Sequence, residues 1–406
     1  MKIKLNSKKT KTPREKVLKK REQEVDEDDF DLDDENINDL RFISSVSYNT
    51  NLALTGDINK GHPIGRIIIV TGDYSTGKTE YYLEIIAKTM AEYLAKGKKI
   101  KVVIDDAEYA LDDDFARKLG VPKIIKKEPK KKIPDKYVEL RNSELIEDFH
   151  GSIYEVMEDY EDYDLILYCL DSIDSLSDRS EKDLIEKNLK KLKKREDGND
   201  DNVEKLKQSY GAQFAKYMSQ LFRNLRADIK NTNTVLILIA QLREDLGNKG
   251  YQKKTTSRGG KAQRFYASQI IELLRAGKLY KTQKVKNTSK IPYGSTVKAL
   301  VTKNKVYPEG RHTYYDIILN PIVGVDNVGS LIDFCTTYKG LEKSGKGKIE
   351  WNGKSFSRDK LREEIGKNKK QYKKLLKLAQ DTWNEIEEEA KIDINPKWKW
   401  LDNMEE

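Results

Sequence analysis

The sequence predicts an α/β protein with a mostly parallel central sheet flanked by helices, preceded by a charged N-terminal arm and followed by a small C-terminal module. Three observations carry that prediction. Short aliphatic and β-branched runs, suited to strands buried on both faces, alternate with segments whose apolar residues recur at helical spacing. The first of these runs passes directly into a glycine-bearing loop and then a helix. Later runs end in carboxylates, which face the ligand crevice when they stand at the C-terminal edge of such a sheet.

The strand–loop–helix unit is RIIIVTGDYSTGKTEYYLEII, from Arg66 to Ile86. Ile67, Ile68, Ile69, Val70 and Thr71 form the strand, and Gly72 to Thr79 spells G-x-x-x-x-G-K-T. Gly72 and Gly77 let the backbone approach a polyphosphate closely, at the positive end of the following helix. Lys78 supplies a point charge against the β- and γ-phosphates, and the Thr79 hydroxyl completes a Mg²⁺ shell. The phosphate-binding residues are therefore Gly72, Asp73, Ser75, Thr76, Gly77, Lys78, Thr79 and Glu80, with ATP and Mg²⁺ as cofactors.

The chain of 406 residues suggests two or three structural units. Its net charge of +9 fits an anionic partner, although lysine-rich surfaces also serve solubility. No apolar run is long enough to span a bilayer, and the basic N-terminus lacks the apolar stretch of a signal peptide, so a cytoplasmic protein without a membrane partner is expected. With 2 cysteines and 3 scattered histidines, neither a disulfide framework nor a dedicated transition-metal site is expected.

Residues 1–41 form the arm. Ten Lys or Arg occupy residues 1–24 and nine Asp or Glu occupy residues 26–39, a pattern of either a disordered arm or one that docks on a neighbouring subunit or DNA. The globular part begins near Phe42. After the first helix, Ile100 to Ile104 makes a second strand with acids gathered at its end. Among them Glu108 is the candidate for polarising an attacking water, while Asp113 and Asp114 suit the start of a helix. Pro122 to Pro134, rich in Lys and Pro, reads as an exposed turn. The strand DLILYCLDSID, Asp164 to Asp174, ends in Asp171, a carboxylate placed to hold Mg²⁺ opposite the loop lysine.

Arg179 to Lys207 is densely charged in both signs and includes Lys190, Lys191 and Arg195, so it reads as a basic finger on a phosphate backbone or as a solvated helix face. Phe214 to Ile229 is an amphipathic helix, and Thr234 to Ala240 a buried strand capped by Gln241, whose amide suits a γ-phosphate sensor. Directly after it come Arg243, Lys249, Tyr251, Lys253, Lys254, Arg258, Gly259 and Gly260. Cations that track phosphates and a ring that stacks on bases fit single-stranded nucleic acid.

The order of these pieces resembles the RecA family of homologous-recombination ATPases, including phage recombinases. The likeness runs from about residue 42 to 340, through GRIIIVTGDYSTGKT, IDDAEYALDDDFARKLGV, LILYCLDSIDSL, GGKAQRFYAS and VTKNKVYPEG. It implies a RecA-type ATPase core over residues 42–338, with Lys78 and Glu108 catalytic, Asp171 on the metal side, and Gln241 coupling the γ-phosphate to DNA. Asp112 and Phe115 fall where the family holds adenine. Lys303 and Lys305 match a pair that reaches the neighbouring subunit's ATP, with Arg264 and Phe265 at the same seam, and residues 178–211 and 242–260 match two DNA-binding loops. The first of these loops is longer and more charged than the family's.

The resemblance implies a DNA-dependent ATPase that forms a helical filament on single-stranded DNA and exchanges strands with homologous double-stranded DNA, served by single-strand-binding or loader proteins. Two rivals share the core: a mediator or annealing ATPase without strand exchange, and a hexameric motor. Residues 339–406 are expected to form a basic module. Trp351 and Trp383 there serve either duplex DNA or a small core.

Overall fold

A computed structural model describes residues 40–129, 131–183, 207–241, 243–244, 255–256, 264–282, 290–320, 323–344 and 347–391. The described chain opens with β1 (Phe42–Ile43), which pairs antiparallel with β2 (His62–Pro63) around the helix Tyr48–Thr55. Ser47 caps that helix, its hydroxyl accepting the Thr50 N–H at 3.1 Å.

The central sheet follows. Its strands are β3 (Arg66–Gly72), β4 (Ile100–Asp106), β5 (Ile124–Lys126), β6 (Val138–Arg141), β7 (Leu165–Asp171) and β8 (Thr234–Gln241). After the short pair β9 (Arg243–Glu244) and β10 (Thr255–Thr256) come β11 (Gln269–Thr282), β12 (Lys290–Asn304), β13 (His312–Ile318) and β14 (Gly324–Val325). The ten-stranded order is β14-β13-β12-β11-β3-β8-β7-β4-β6-β5. From β11 to β5 neighbours run parallel, whereas β11, β12, β13 and β14 are joined antiparallel.

The expectation of a plain exposed turn over Pro122 to Pro134 is corrected: Ile124–Lys126 is the edge strand β5, paired parallel with β6. Two adjacent isoleucines at a half-buried sheet edge outweigh the flanking prolines, which lie outside the paired residues, while the paired Lys126 is exposed, as a lysine on an edge strand can be.

Both faces of the sheet are covered, as uninterrupted aliphatic strands require. Ile68 and Val70 of β3 join the helix Lys78–Ala95 in one core, and Ile67 and Ile69 join the helices Ile146–Met157 and Lys207–Lys230 in the other. The chain then forms the helix Asn327–Thr337, a three-stranded sheet of β15 (Lys343–Ser344), β16 (Lys348–Trp351) and β17 (Lys354–Phe356), and the helices Arg358–Gly366 and Lys369–Glu389. Trp351 and Trp383 are buried in the same apolar cluster as β3 and β11, so neither ring is displayed to solvent. Arg311 pairs with Glu387 at 2.6 and 2.8 Å, and Arg358 reaches Asp333 at 2.6 Å and Asp316 at 2.9 Å, fastening these helices to β13 and its surroundings. No helix among the described residues is long and apolar enough to cross a membrane.

Candidate active site

At the C-terminal end of β3 the loop turns through Ser75 and Gly77, both at positive φ, into the helix that starts at Lys78. Gly77 has φ 89°, and a Cβ there would stand 2.7 Å from Ile317 Cδ1. A Cβ on Gly72 would meet Thr76 Oγ1 at 2.5 Å. Both glycines are therefore required by the local packing. Thr76 donates its hydroxyl to the Asp73 carbonyl at 2.8 Å, and Lys78 Nζ donates to the same oxygen at 2.7 Å. The ammonium rests on a neutral loop carbonyl, an acceptor that an anionic ligand would outcompete within the reach of the flexible lysine side chain.

Around this loop lies a cavity of about 460 Å³ whose walls include Lys78, Thr79, Glu108, Asp112, Phe115, Asp171 and Gln241. Residues 112 and 115 come from the same short helix: Asp112 caps Asp113–Lys118, its Oδ1 accepting from the backbone of Asp114 at 2.9 Å and Phe115 at 3.0 Å. That cap fixes Phe115 against the wall, so Asp112 has a structural task of its own.

Across the cavity, Thr79 Oγ1 donates to Asp171 Oδ2 at 3.1 Å. Burial, then the charges of Glu108 and Asp106, push the Asp171 carboxyl up to about 6, against the hydrogen bonds from Thr79 and Tyr82. Burial likewise lowers the Lys78 ammonium, although Asp171, Glu108, Asp73 and Glu80 oppose it, and burial raises the Glu80 carboxyl. A hydroxyl beside a carboxylate short of positive charge is a donor set that suits Mg²⁺ brought in with a triphosphate. Glu108 Oε1 accepts from Ser172 Oγ at 2.5 Å and from Gln241 Nε2 at 3.1 Å, and the Gln241 N–H is held by Asp174 Oδ2 at 2.6 Å. The tips of β4, β7 and β8 are thus tied together at one carboxylate.

Sequence reasoning passed over several residues here. Ser172 reads with Asp171 as the end of the strand, whereas Asp174 sits in the same D-S-I-D stretch, which is the signal that could have found it. Arg275 on β11 donates to the Ser75 carbonyl at 3.2 Å and lies over the Tyr74 ring. No local motif marks it; only the pairing of Leu273 with Gly72 brings it to the loop.

Lys303 and Lys305 lie elsewhere. Lys303 pairs with Ile270, which pairs with Ile69, and Lys305 donates its N–H to Ser268, whose own N–H bonds to Ile67. Along β3 Ile69 lies three steps and Ile67 five steps before Gly72, about 10 Å and about 17 Å at about 3.3 Å per residue, and the Lys303 ammonium reaches further that way to the carbonyls of Arg264 and Phe265, ahead of β11. The two lysines thus stand at the end of the sheet opposite their own phosphate loop. Lys303 Nζ donates to the carbonyls of Arg264 at 2.6 Å and Phe265 at 2.8 Å and lies 5.9 Å from the Phe265 ring centre, and that ring is 69% exposed. Burial and then neighbouring cations lower both ammonium groups: Lys305 acts on Lys303, and Arg226 with Arg66 acts on Lys305. Lys303, Lys305, Arg226 and Arg66 thus form a cationic cluster at this end of β3, β11 and β12.

Arg179, at the mouth of the first candidate DNA loop, is exposed, and its N–H donates to Glu147 Oε1 at 3.4 Å. Arg243 enters β9, its side chain outside the described residues, as are Lys190, Lys191, Arg195, Lys249, Tyr251, Lys253, Lys254, Arg258, Gly259 and Gly260. The arm over residues 1–39 lies outside them too.

The model of the RecA N-terminal domain matches residues 15–128 and 198–324. Protein RecA of Rickettsia prowazekii is 31% identical over 351 residues, covering 86% of this chain and 84% of the relative. Protein RecA of Delftia acidovorans is 30% identical over 339 residues, covering 82% and 77%. Protein RecA of a Sulfurovum species is 31% identical over 347 residues, covering 82% and 84%.

Proposed function

The chain belongs to the RecA family, and on that premise we propose that it is a DNA-dependent ATPase that forms a helical filament on single-stranded DNA and catalyses homologous pairing and strand exchange. One observation carries this reading: the cationic cluster of Lys303 and Lys305 faces away from the subunit's own phosphate loop, so a triphosphate is fully surrounded only when a second copy brings that cluster to it.

In this reading the N–H groups of Gly72 to Thr79 and the Lys78 ammonium grip the phosphates, and Asp112 and Phe115 hold the adenine. Thr79 and Asp171 would hold Mg²⁺, which would supply positive charge at the phosphoryl group. Glu108, oriented by Ser172 and Gln241, takes a proton from the attacking water. Lys303 and Lys305 of the neighbouring copy neutralise charge that develops on the phosphate oxygens, with Arg264 and Phe265 at the same seam. Gln241 stands between the catalytic carboxylate and the loop of residues 242–260, which with residues 178–211 grips the DNA backbone without reading its sequence. The basic C-terminal segment presents lysines, not its tryptophans, to duplex DNA.

The test measures ATP turnover with and without single-stranded DNA, alongside D-loop formation with Lys78→Ala as the control. Turnover that rises on adding DNA, together with ATP-dependent strand invasion, supports the reading. A monomer that hydrolyses ATP equally with and without DNA refutes it, and annealing without invasion points to the mediator class.

A further inference from the structure

Beneath the phosphate loop three polar side chains from three separate elements are fully buried: Tyr81 of the helix Lys78–Ala95, His62 of β2 and Gln269 of β11. His62 Nε2 lies 3.0 Å from the Tyr81 hydroxyl, and His62 Nδ1 lies 2.7 Å from Gln269 Oε1. The Gln269 amide is shared at 3.5 Å between the Gly61 carbonyl and Asn304 Oδ1. Asn304 donates in turn to the Leu54 carbonyl at 2.8 Å, and its Oδ1 accepts the Val306 N–H at 3.2 Å. Asn304 is the residue between Lys303 and Lys305.

We propose that Tyr81, His62, Gln269 and Asn304 form a buried relay by which the phosphate loop of a subunit positions that same subunit's Lys303–Lys305 strand end, and hence its service to a neighbour's triphosphate. The proposal rests on the reading of those lysines given above.

The direction of each bond is set by chemistry. Gln269 must turn its amide N–H₂ to the Gly61 carbonyl, so its oxygen faces His62, and His62 Nδ1 is therefore the protonated nitrogen. Burial holds the imidazole neutral, lowering it to about 4, so Nε2 carries a lone pair and accepts from Tyr81. Every group donates the same way, from Tyr81 towards Asn304, an arrangement in which each bond polarises the next. At the near end, the Tyr81 N–H closes the first turn of its helix on the Gly77 carbonyl at 2.9 Å. Side chains of similar size without polar atoms would fill this space with no orientation to enforce, so four partners in sequence mark a device for placement.

The test compares Tyr81→Phe, which deletes one hydroxyl, with Gln269→Leu, with both together, and with Lys303→Ala plus Lys305→Ala. Expected for each relay variant are ATP affinity without DNA within about twofold of the parent and DNA-stimulated kcat about fivefold to twentyfold lower. The combined relay variant should lose no more than the worse single one, because both changes cut one path. The apolar triple variant Tyr81→Phe with His62→Leu and Gln269→Val strands none of the three side chains' polar atoms, so it should stay close to the parent's thermal midpoint and still lose stimulation, which separates placement from folding.

Full stimulation in Tyr81→Phe and Gln269→Leu, with stimulation lost in the lysine variant, overturns the relay and leaves the shared site standing. Unchanged stimulation in the lysine variant overturns the shared site, and the relay with it. Losses that multiply in the combined variant reduce the cluster to independent structural roles.

Discussion

Replacing His62 with leucine should change how stability depends on pH, by an amount fixed by the residue's burial. The ring has no solvent exposure, and only Gln269 and Tyr81 bond to its nitrogens, so its pKa falls from 6.5 to about 4. Between those two values the unfolded chain binds a proton that the folded protein refuses. Folding stability therefore rises with pH across that window, is fully present above about 6.5, and is lost as pH falls through about 4. The shift corresponds to roughly 3 kcal/mol.

Asp171 acts in the opposite sense. Its carboxyl, raised from 3.8 to about 6, makes the folded state the better proton binder and removes stability as pH rises through an overlapping window. Other buried carboxyls shift as well, Glu80, Glu84 and Asp316 upward and Glu139 downward, so the informative quantity is the difference between parent and His62→Leu, from which contributions other than that of His62 cancel. Urea unfolding of the nucleotide-free proteins at fixed ionic strength should show the parent losing roughly 3 kcal/mol relative to the variant between pH 7 and pH 4. A difference that stays constant over that range refutes the argument, because it would mean that His62 takes up its proton as readily folded as unfolded.

Other perturbations test the site and the packing around it. Asp171→Asn removes a buried charge, so it should raise the thermal midpoint of the nucleotide-free protein at pH 8 while Mg²⁺-dependent turnover falls roughly a hundredfold or more, read by phosphate release. Lys303→Ala with Lys305→Ala should leave ATP affinity without DNA unchanged and lower DNA-stimulated turnover roughly a thousandfold, as loss of a charge supplied in trans does. Gly77→Ala meets both a positive φ and Ile317 Cδ1; pairing it with Ile317→Val deletes that atom and should recover packing but not the backbone strain of about 1–2 kcal/mol, measured by calorimetry and nucleotide titration. Trp383→Ala removes a ring packed 6.1 Å from Phe334 between centres and a bond to the Tyr307 hydroxyl, and should destabilise the ATPase core itself by about 3–5 kcal/mol in denaturant titrations.

What was legible in the sequence was mostly what is local in the chain. The phosphate loop could be read because strand, turn and helix are contiguous and each residue type has its own steric or electrostatic reason. Asp171 and Gln241 could be placed because a buried strand that ends in a polar residue puts that residue at the rim. Glu108 could be singled out among the acids just beyond the end of β4, but its partners Ser172 and Gln241 come from the ends of two other strands and gather only in three dimensions. The same holds for Arg275, which a strand pairing brings to the loop, and for His62. A single histidine between glycine and proline carries no periodic signal, and its partners lie 19 and 207 residues away. The edge strand β5 was hidden by prolines and lysines whose side chains need not enter the sheet.

In the proposed filament each subunit offers its phosphate loop and the carboxylates beside it at one end of β3, and the Lys303–Lys305 cations at the other. A row of such subunits has a head and a tail and cannot close on itself by a twofold axis, since joining like ends would set cluster against cluster. Its growth is vectorial, and at one terminus there is always a last member whose nucleotide no successor attends. Turnover per subunit should thus climb with the length of the row, and short stretches should idle.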